Sequence, residues 1–391
     1  MRIGLYLALI QLLFTATWTV YVAFLPQLAA AAGIPKERVL WILMLDQAIF
    51  IVMDFALGIG ADRVAAAMRR VSSFMIAVTA VSAVAFVLLP HAGASAGLLL
   101  AFTAVWAITS SALRAPPMAM FARHVSALAA PRFVFLSLLG IGIAGAIAPW
   151  LTARLRGLSP TLPFLLAGAG LIAAVLAMGW CERKLAGGAA GAKPAPAAAV
   201  ARPRGAFAPL LFVAVLLLGL GFQVHAFINS APAYLRFAKA PDLEWLMGVF
   251  WIGFSVFIMA PGIGALQRFS PARMLMVGTA AGALALAAVP IAPGLAALIS
   301  AQLGAGAAWG LIIGYALTAA IDAGRSGREG RFTGLVFAML AGAALTRFLI
   351  VVSGAHAAPD LAPLLAWLPG VAWTGALLLI SEAARRGAFS R

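Results

Sequence analysis

Asp46, Asp54, Arg114 and Arg347 are the residues of this sequence best placed to do chemistry, because each sits inside a long apolar run. A charge held against hydrocarbon costs at least about 2.5 kcal/mol, so each of the four must face protein or water. Two acids and two arginines so placed suggest carboxylate–guanidinium pairs. In one reading a carboxylate gains or loses a proton, or binds a cation, as its arginine engages a solute. In the other the pairs are static and fix packing. Which acid meets which arginine depends on the elements that carry them.

Those elements are membrane-spanning helices. Of the 391 residues, 64% are hydrophobic and 10% are charged, with a mean hydropathy of +1.06. A soluble chain of this length carries far more charge. The apolar runs of about 20 residues suit helices and exclude the short alternating strands of a barrel. One cysteine, Cys181, excludes an internal disulfide. The net charge of +16 is the excess of Lys and Arg expected in cytoplasmic loops, and not a nucleic-acid surface. The first run, from Ile3 to Leu25, exceeds the roughly 7–15 residues of a signal-peptide core and is read as a retained helix.

Twelve spans fit, at roughly 4–31, 39–60, 71–90, 96–121, 133–153, 161–181, 208–232, 243–265, 273–291, 294–319, 332–354 and 361–381. The stretch between the sixth and seventh is rich in Ala, Gly and Pro. It predicts an N-terminal six-helix bundle over 1–183, a flexible cytoplasmic linker over 184–206, and a C-terminal six-helix bundle over 207–391 ending in a short cytoplasmic tail. With the N-terminus placed in the cytoplasm, the outer loops hold only Lys36, Arg38, Arg154, Arg156, Arg236 and Lys239 of the 27 basic residues. Arg114 and Arg347 lie within spans, and the rest fall on the inner side. Both termini are then cytoplasmic, in a cell inner membrane. At about 1.5 Å per residue, Asp54 and Arg114 lie ~10 and ~12 Å above the inner boundary, and Asp46 and Arg347 both near ~22 Å. Depth therefore pairs Asp54 with Arg114 and Asp46 with Arg347.

Polar residues mark a cavity. Gln11, Thr15, Trp18 and Tyr21 fall near one face of the first span, and Gln223, His225 and Asn229 interrupt the seventh. Trp251 and Phe254 on the eighth span, and Trp309 and Tyr315 on the tenth, add aromatic surface. Solutes bind at such an interface between repeats. His225 reads either as a proton relay or as a hydrogen-bonded interhelical histidine.

One stretch is duplicated. Ala56, Gly58, Ile59, Gly60 and Ala61 recur as Ala260, Gly262, Ile263, Gly264 and Ala265, but the second copy drops the acids. Gly58 and Gly60 let a neighbouring helix approach closely. Asp62, at the inner end of the second span, can accept hydrogen bonds from the first amides of a nearby helix. Arg63, Arg69 and Arg70 meet headgroups in the loop beyond. Together these residues read as a latch closing the cytoplasmic side, or as a topology anchor alone.

Gly58-x-x-x-Asp62-Arg63 with Arg69-Arg70, between the second and third of twelve spans, resembles the loop signature of the major facilitator superfamily. The six-linker-six layout and the reduced second copy resemble that family too, across essentially the whole chain. Val64-Ala65-Ala66 stands where the family places a glycine. The resemblance implies an all-α fold of two six-helix bundles related by a pseudo-two-fold axis, rocking about a central cavity in alternating access. Asp54-x-x-x-Gly58 and Ala115-Pro116-Pro117-Met118-Ala119-Met120 also bear a slight resemblance to the cation-coupled glycoside and hexuronide symporters, with Phe55 where those carry proline.

The function expected is secondary active transport of a small organic solute, coupled to H+ (or Na+). The two arginines would suit an anionic solute. A multidrug-type H+ antiporter is the alternative within the class, and a non-transporting sensor or assembly factor is the alternative outside it. No phosphate-cradling Gly-Lys-Ser/Thr loop occurs, and His91, His124, His225 and His356 are far apart. No enzyme activity, cofactor or metal is expected, and a monomer suffices.

Overall fold

A computed structural model describes residues 2–68, 71–124, 130–189, 208–259, 269–324 and 327–386. Among the described residues there is no strand. Twelve helical stretches are long and apolar enough to cross a membrane: α1 (Ile3–Ala31), α2 (Lys36–Ala65), α3 (Val71–Gly93), α4 (Ala96–Met120), α5 (Ala130–Leu155), α6 (Thr161–Leu185), α7 (Pro209–Leu235), α8 (Ala240–Met259), α9 (Pro271–Ala288), α10 (Leu295–Gly324), α11 (Glu329–Val352) and α12 (Ala362–Arg385). The chain is a multi-pass membrane protein. The end at which α6 stops and α7 begins is called the linker end below.

Two boundaries depart from expectation. The helix that carries α2 runs Val39–Met68 without a break, so Asp62 and Arg63 lie on a helix and not in a loop. Val64 and Ala65 propagate a helix where a glycine would release it. The last helical piece of α6, Met178–Ala189, enters the expected linker at 184–206, and its remainder lies outside the described residues. So do Arg69, Arg70 and the second copy of the duplicated stretch.

Polar side chains close the helix ends that apolar sequence leaves open. Ser95 accepts from the Gly97 amide and Ser270 from the Arg273 amide, with Pro271 at the first turn. Glu182 of α6 reaches the start of α3, accepting from the Val71 and Ser72 amides at 2.8 and 3.1 Å. Within the N-terminal half, Tyr21, Phe86 and Trp106 form a buried aromatic cluster. In the C-terminal half, Trp309 stacks between Phe222 and Trp373.

Two prolines break α4. Its helix stops at Ser110, a tight turn covers Ser111–Leu113, and helix resumes at Ala115. Pro116 and Pro117 have no amide hydrogen, so the carbonyls of Ala112 and Leu113 lose their usual partners. The Leu113 carbonyl accepts instead from Nε2 of Gln11 on α1, at 2.9 Å. Arg114 is set at this break. In α7 the interruption is a π-helical turn at His225–Asn229, where one extra residue is accommodated ahead of Pro232.

Candidate functional site: a cavity between the halves

The two halves meet most closely along α2 and α11. A Cβ on Gly58 would stand 2.2 Å from the Gly330 carbonyl oxygen, and one on Gly334 would stand 2.4 Å from that of Asp54. Asp54, Gly58 and Asp62, spaced by four residues, thus face α11 along one stripe. At its linker end the Asp62 carboxylate accepts two hydrogen bonds across the interface. Gly330 N donates to Oδ1 and Arg331 N to Oδ2, both at 2.8 Å. These are among the first amides of α11, which have no intrahelical acceptor and carry the positive end of the helix dipole. Arg63 beside it is exposed. The linker end is filled further by Phe135 of α5 against Tyr315 of α10, with ring centroids 5.2 Å apart.

Beyond these contacts lies a cavity of about 400 Å³, toward the smaller end of sites for small molecules. It runs from mid-membrane into the half away from the linker end, since α1 contributes Gln11 through Val22 and α11 contributes Phe337 through Phe348. Its wall is largely aromatic. Trp18 and Phe50 come from the N-terminal half, and Phe222, Phe227, Trp251, Phe254, Trp309 and Phe337 from the other. Neutral polar groups are few, chiefly Gln11, Thr15, Gln47 and Gln223.

The charged groups lining it are Arg114 and Arg347, one from each half; no Asp or Glu is among the lining residues. Arg114 Nη1 lies 2.8 Å from Oδ2 of Asp54, whose side chain is fully buried while that of Arg114 is 18% exposed. The contact is one of charge, because neither Asp54 oxygen receives a well-directed hydrogen bond. The guanidinium carbon of Arg114 also lies 5.1 Å from the Phe50 ring centroid and 5.0 Å from that of Phe337. An aromatic face from each half therefore holds one cation. Arg347 sits differently. Its guanidinium carbon is 4.7 Å from the Phe227 ring centroid and 3.8 Å from that of Phe348. No carboxylate among the described residues pairs with it, and its Nε is buried without a partner.

The Asp54–Arg114 pair expected from depth is therefore present, and the Asp46–Arg347 pair is not. Asp46 is wholly buried within the N-terminal half, where the Tyr21 hydroxyl donates to its Oδ2 at 2.8 Å and its Oδ1 has no partner. Depth fixes height but not direction. Asp46 lies about 80° around the helix from Asp54 and faces α1. Tyr21 leaves the cavity for the same reason. Spacings of four, three and three carry it about 80° past Gln11, so that Val22 takes its place in the wall.

Of the other expected lining residues, Gln11, Thr15, Trp18, Gln223, Trp251, Phe254 and Trp309 face the cavity. His225, Asn229 and Tyr315 do not. His225 Nε2 meets Gln302 Oε1 at 2.8 Å, Gln302 donates to Ser230 Oγ at 3.2 Å, and that hydroxyl donates to the His225 carbonyl at 2.8 Å. Asn229 donates to the Leu365 carbonyl of α12. These residues knit the π-turn of α7 to its own half. The sequence reading missed Phe14, Gln47, Phe50, Phe222, Phe227, Phe337 and Phe348. Phenylalanines in apolar runs carry no signal of their own, although Phe14, Phe50, Phe222, Phe227 and Phe348 lie within four residues of a polar or charged residue of the site.

Searches by sequence give little, since no family model and no curated protein matches the chain. Solved structures match along its whole length. The human organic anion transporter MFSD10 (TETRAN) aligns with a TM-score of 0.69 at 15% identity, covering 98% of each chain. The E. coli fucose:proton symporter FucP aligns at 0.65 and 13%, covering 97% of this chain and 98% of its own. The proton:xylose symporter XylE, bound to 6-bromo-6-deoxy-D-glucose, aligns at 0.66 and 12%, covering 97% and 94%. The fold is that of the major facilitator superfamily. A major facilitator fold consists of two six-helix bundles about a pseudo-two-fold axis, so α1–α6 and α7–α12 are its halves, and residues of both line the cavity.

Proposed function

We propose that this protein is a secondary active transporter of a small organic anion, working by alternating access in a cell inner membrane with both termini in the cytoplasm. The observation that carries the reading is the pairing of Arg114 and Arg347, from opposite halves, on one aromatic cavity with no acid in its wall. An anion in this cavity is attracted by a cation of each half at once, and its binding biases how the halves meet. The bundles 1–183 and 207–391 are then the moving bodies. Asp62 on the first amides of α11 is the cytoplasmic latch, and the conformation described is closed on that side. An organic cation would be repelled by Arg114 and Arg347 and would find no carboxylate in the wall, which disfavours a drug-type antiporter of cations.

Asp54 is the proposed coupling group, for H+. An anion that draws the Arg114 guanidinium toward itself leaves Asp54 buried beside a weakened partner. A buried carboxylate without a cation is stabilised by binding a proton. Anion and proton then travel together. In proteoliposomes with an inward proton gradient, labelled organic anions should accumulate and organic amines should not. Asp54→Asn should abolish gradient-driven accumulation while keeping anion exchange at equal concentrations. Accumulation of amines, or full accumulation by Asp54→Asn, would contradict this reading.

A further inference from the structure

We infer that the transported species is a monoanion with an aromatic body, its anionic group on Arg347 and its ring against the aromatic wall beside it. The inference rests on the anion reading above and narrows it.

The charge follows from a tally of the cavity's groups. Arg114 has its counter-ion in Asp54. Arg347 has none among the described residues, and its Nε is buried and unpartnered. Asp46, the other acid at this depth, faces Tyr21 inside its own half and is not part of the wall. Before Asp54 takes up a proton, one positive charge is left to be matched. A buried donor without an acceptor is costly, and a carboxylate matches the forked geometry of a guanidinium. Phe227 and Phe348 flank the Arg347 guanidinium at 4.7 and 3.8 Å. They shed its water and hold it in place before any ligand arrives.

The body follows from the wall. Phe222 stacks on Trp309 with centroids 4.6 Å apart and planes within 6°, and Trp251 stands edge-on to Phe222 at 5.7 Å. These packed rings form a rigid floor on which an offset or edge-to-face ring is favoured. A sugar would need a hydrogen-bond partner for each hydroxyl, and the wall offers few neutral polar groups. Gln223 is one of them, and its buried amide oxygen has no partner. It supplies a point for one neutral polar substituent on the ring.

The test is thermal unfolding of the purified full chain in detergent micelles at pH 7.5, with benzoate, hexanoate, phthalate, benzylamine or glucose. A ligand that binds the folded state raises its apparent Tm. Benzoate at saturation should raise it by about 4 °C. Hexanoate and phthalate should raise it by less than half as much, and benzylamine and glucose not at all. Arg347→Gln should abolish the benzoate shift and Arg347→Lys should keep part of it. Phe227→Leu, at a site 54% exposed and so tolerant of change, should shrink the advantage of benzoate over hexanoate. Hexanoate equal to benzoate would overturn the aromatic body and leave the anion reading standing. Phthalate above benzoate would overturn the single charge and again leave that reading standing. No benzoate shift would overturn the inference, while stabilisation by benzylamine alone would sink the anion reading itself.

Discussion

Removing the Arg114 guanidinium would leave Asp54, fully buried, without its cation. Breaking a buried pair from one side costs about 3–5 kcal/mol, because the surviving charge is uncompensated. Arg114→Gln should therefore lower stability by about that amount, and adding Asp54→Asn should restore most of it. Thermal unfolding of the two single variants and the double variant checks this; simple additivity would show that the pair is not coupled. Tyr21→Phe removes the hydroxyl that donates to Asp46. The buried carboxylate then loses a hydrogen bond, at about 1–3 kcal/mol, and transport should persist in this variant because the pair stands outside the cavity wall. At this scale the sequence was half legible. Apolar runs expose every buried charge to view, and depth along a helix found the Asp54–Arg114 contact. Depth says nothing about azimuth, which is why Asp46, Arg347 and Tyr21 were misdirected.

The halves meet most closely along α2 and α11, and again along α5 and α8, where Gly248 packs against the Ala146 carbonyl. Gly58 and Gly330 bring α2 and α11 together at backbone distance, and Asp62 closes their linker end with two charge-assisted hydrogen bonds. Asp62→Asn keeps one acceptor and loses the charge, so the closed state should weaken by about 1–3 kcal/mol. A cysteine placed on the linker-end face of the cavity floor, at Phe135, should then react several-fold faster with a membrane-impermeant maleimide. An unchanged rate would reduce Asp62 to a topology anchor. Gln11→Leu should destabilise by about 1–3 kcal/mol, because the Leu113 carbonyl, orphaned by Pro117, loses its donor. The spans, the close approach at Gly58 and the amides that Asp62 caps were legible, because they follow from hydropathy, from small residues and from what a helix terminus lacks. The unbroken helix through Val64 and the π-turn of α7 were not, since both depend on what neighbouring helices allow.

The whole molecule is a pair of bundles around a basic, aromatic cavity. Its architecture could be read from twelve apolar runs and one composition break, because membrane helices answer to length and hydropathy before they answer to partners. Which rings make the wall could not be read, since a phenylalanine facing lipid and one facing a cavity look alike in sequence. In the proposed transport cycle the linker end opens and closes around bound anion. Spin labels at Arg132→Cys on α5 and Arg328→Cys ahead of α11, both exposed at the linker end, report that distance by electron–electron double resonance. A short distance should dominate in the free protein. A longer population should grow with benzoate at low pH and in Asp62→Asn. One unchanging distance across all of these conditions would contradict the account.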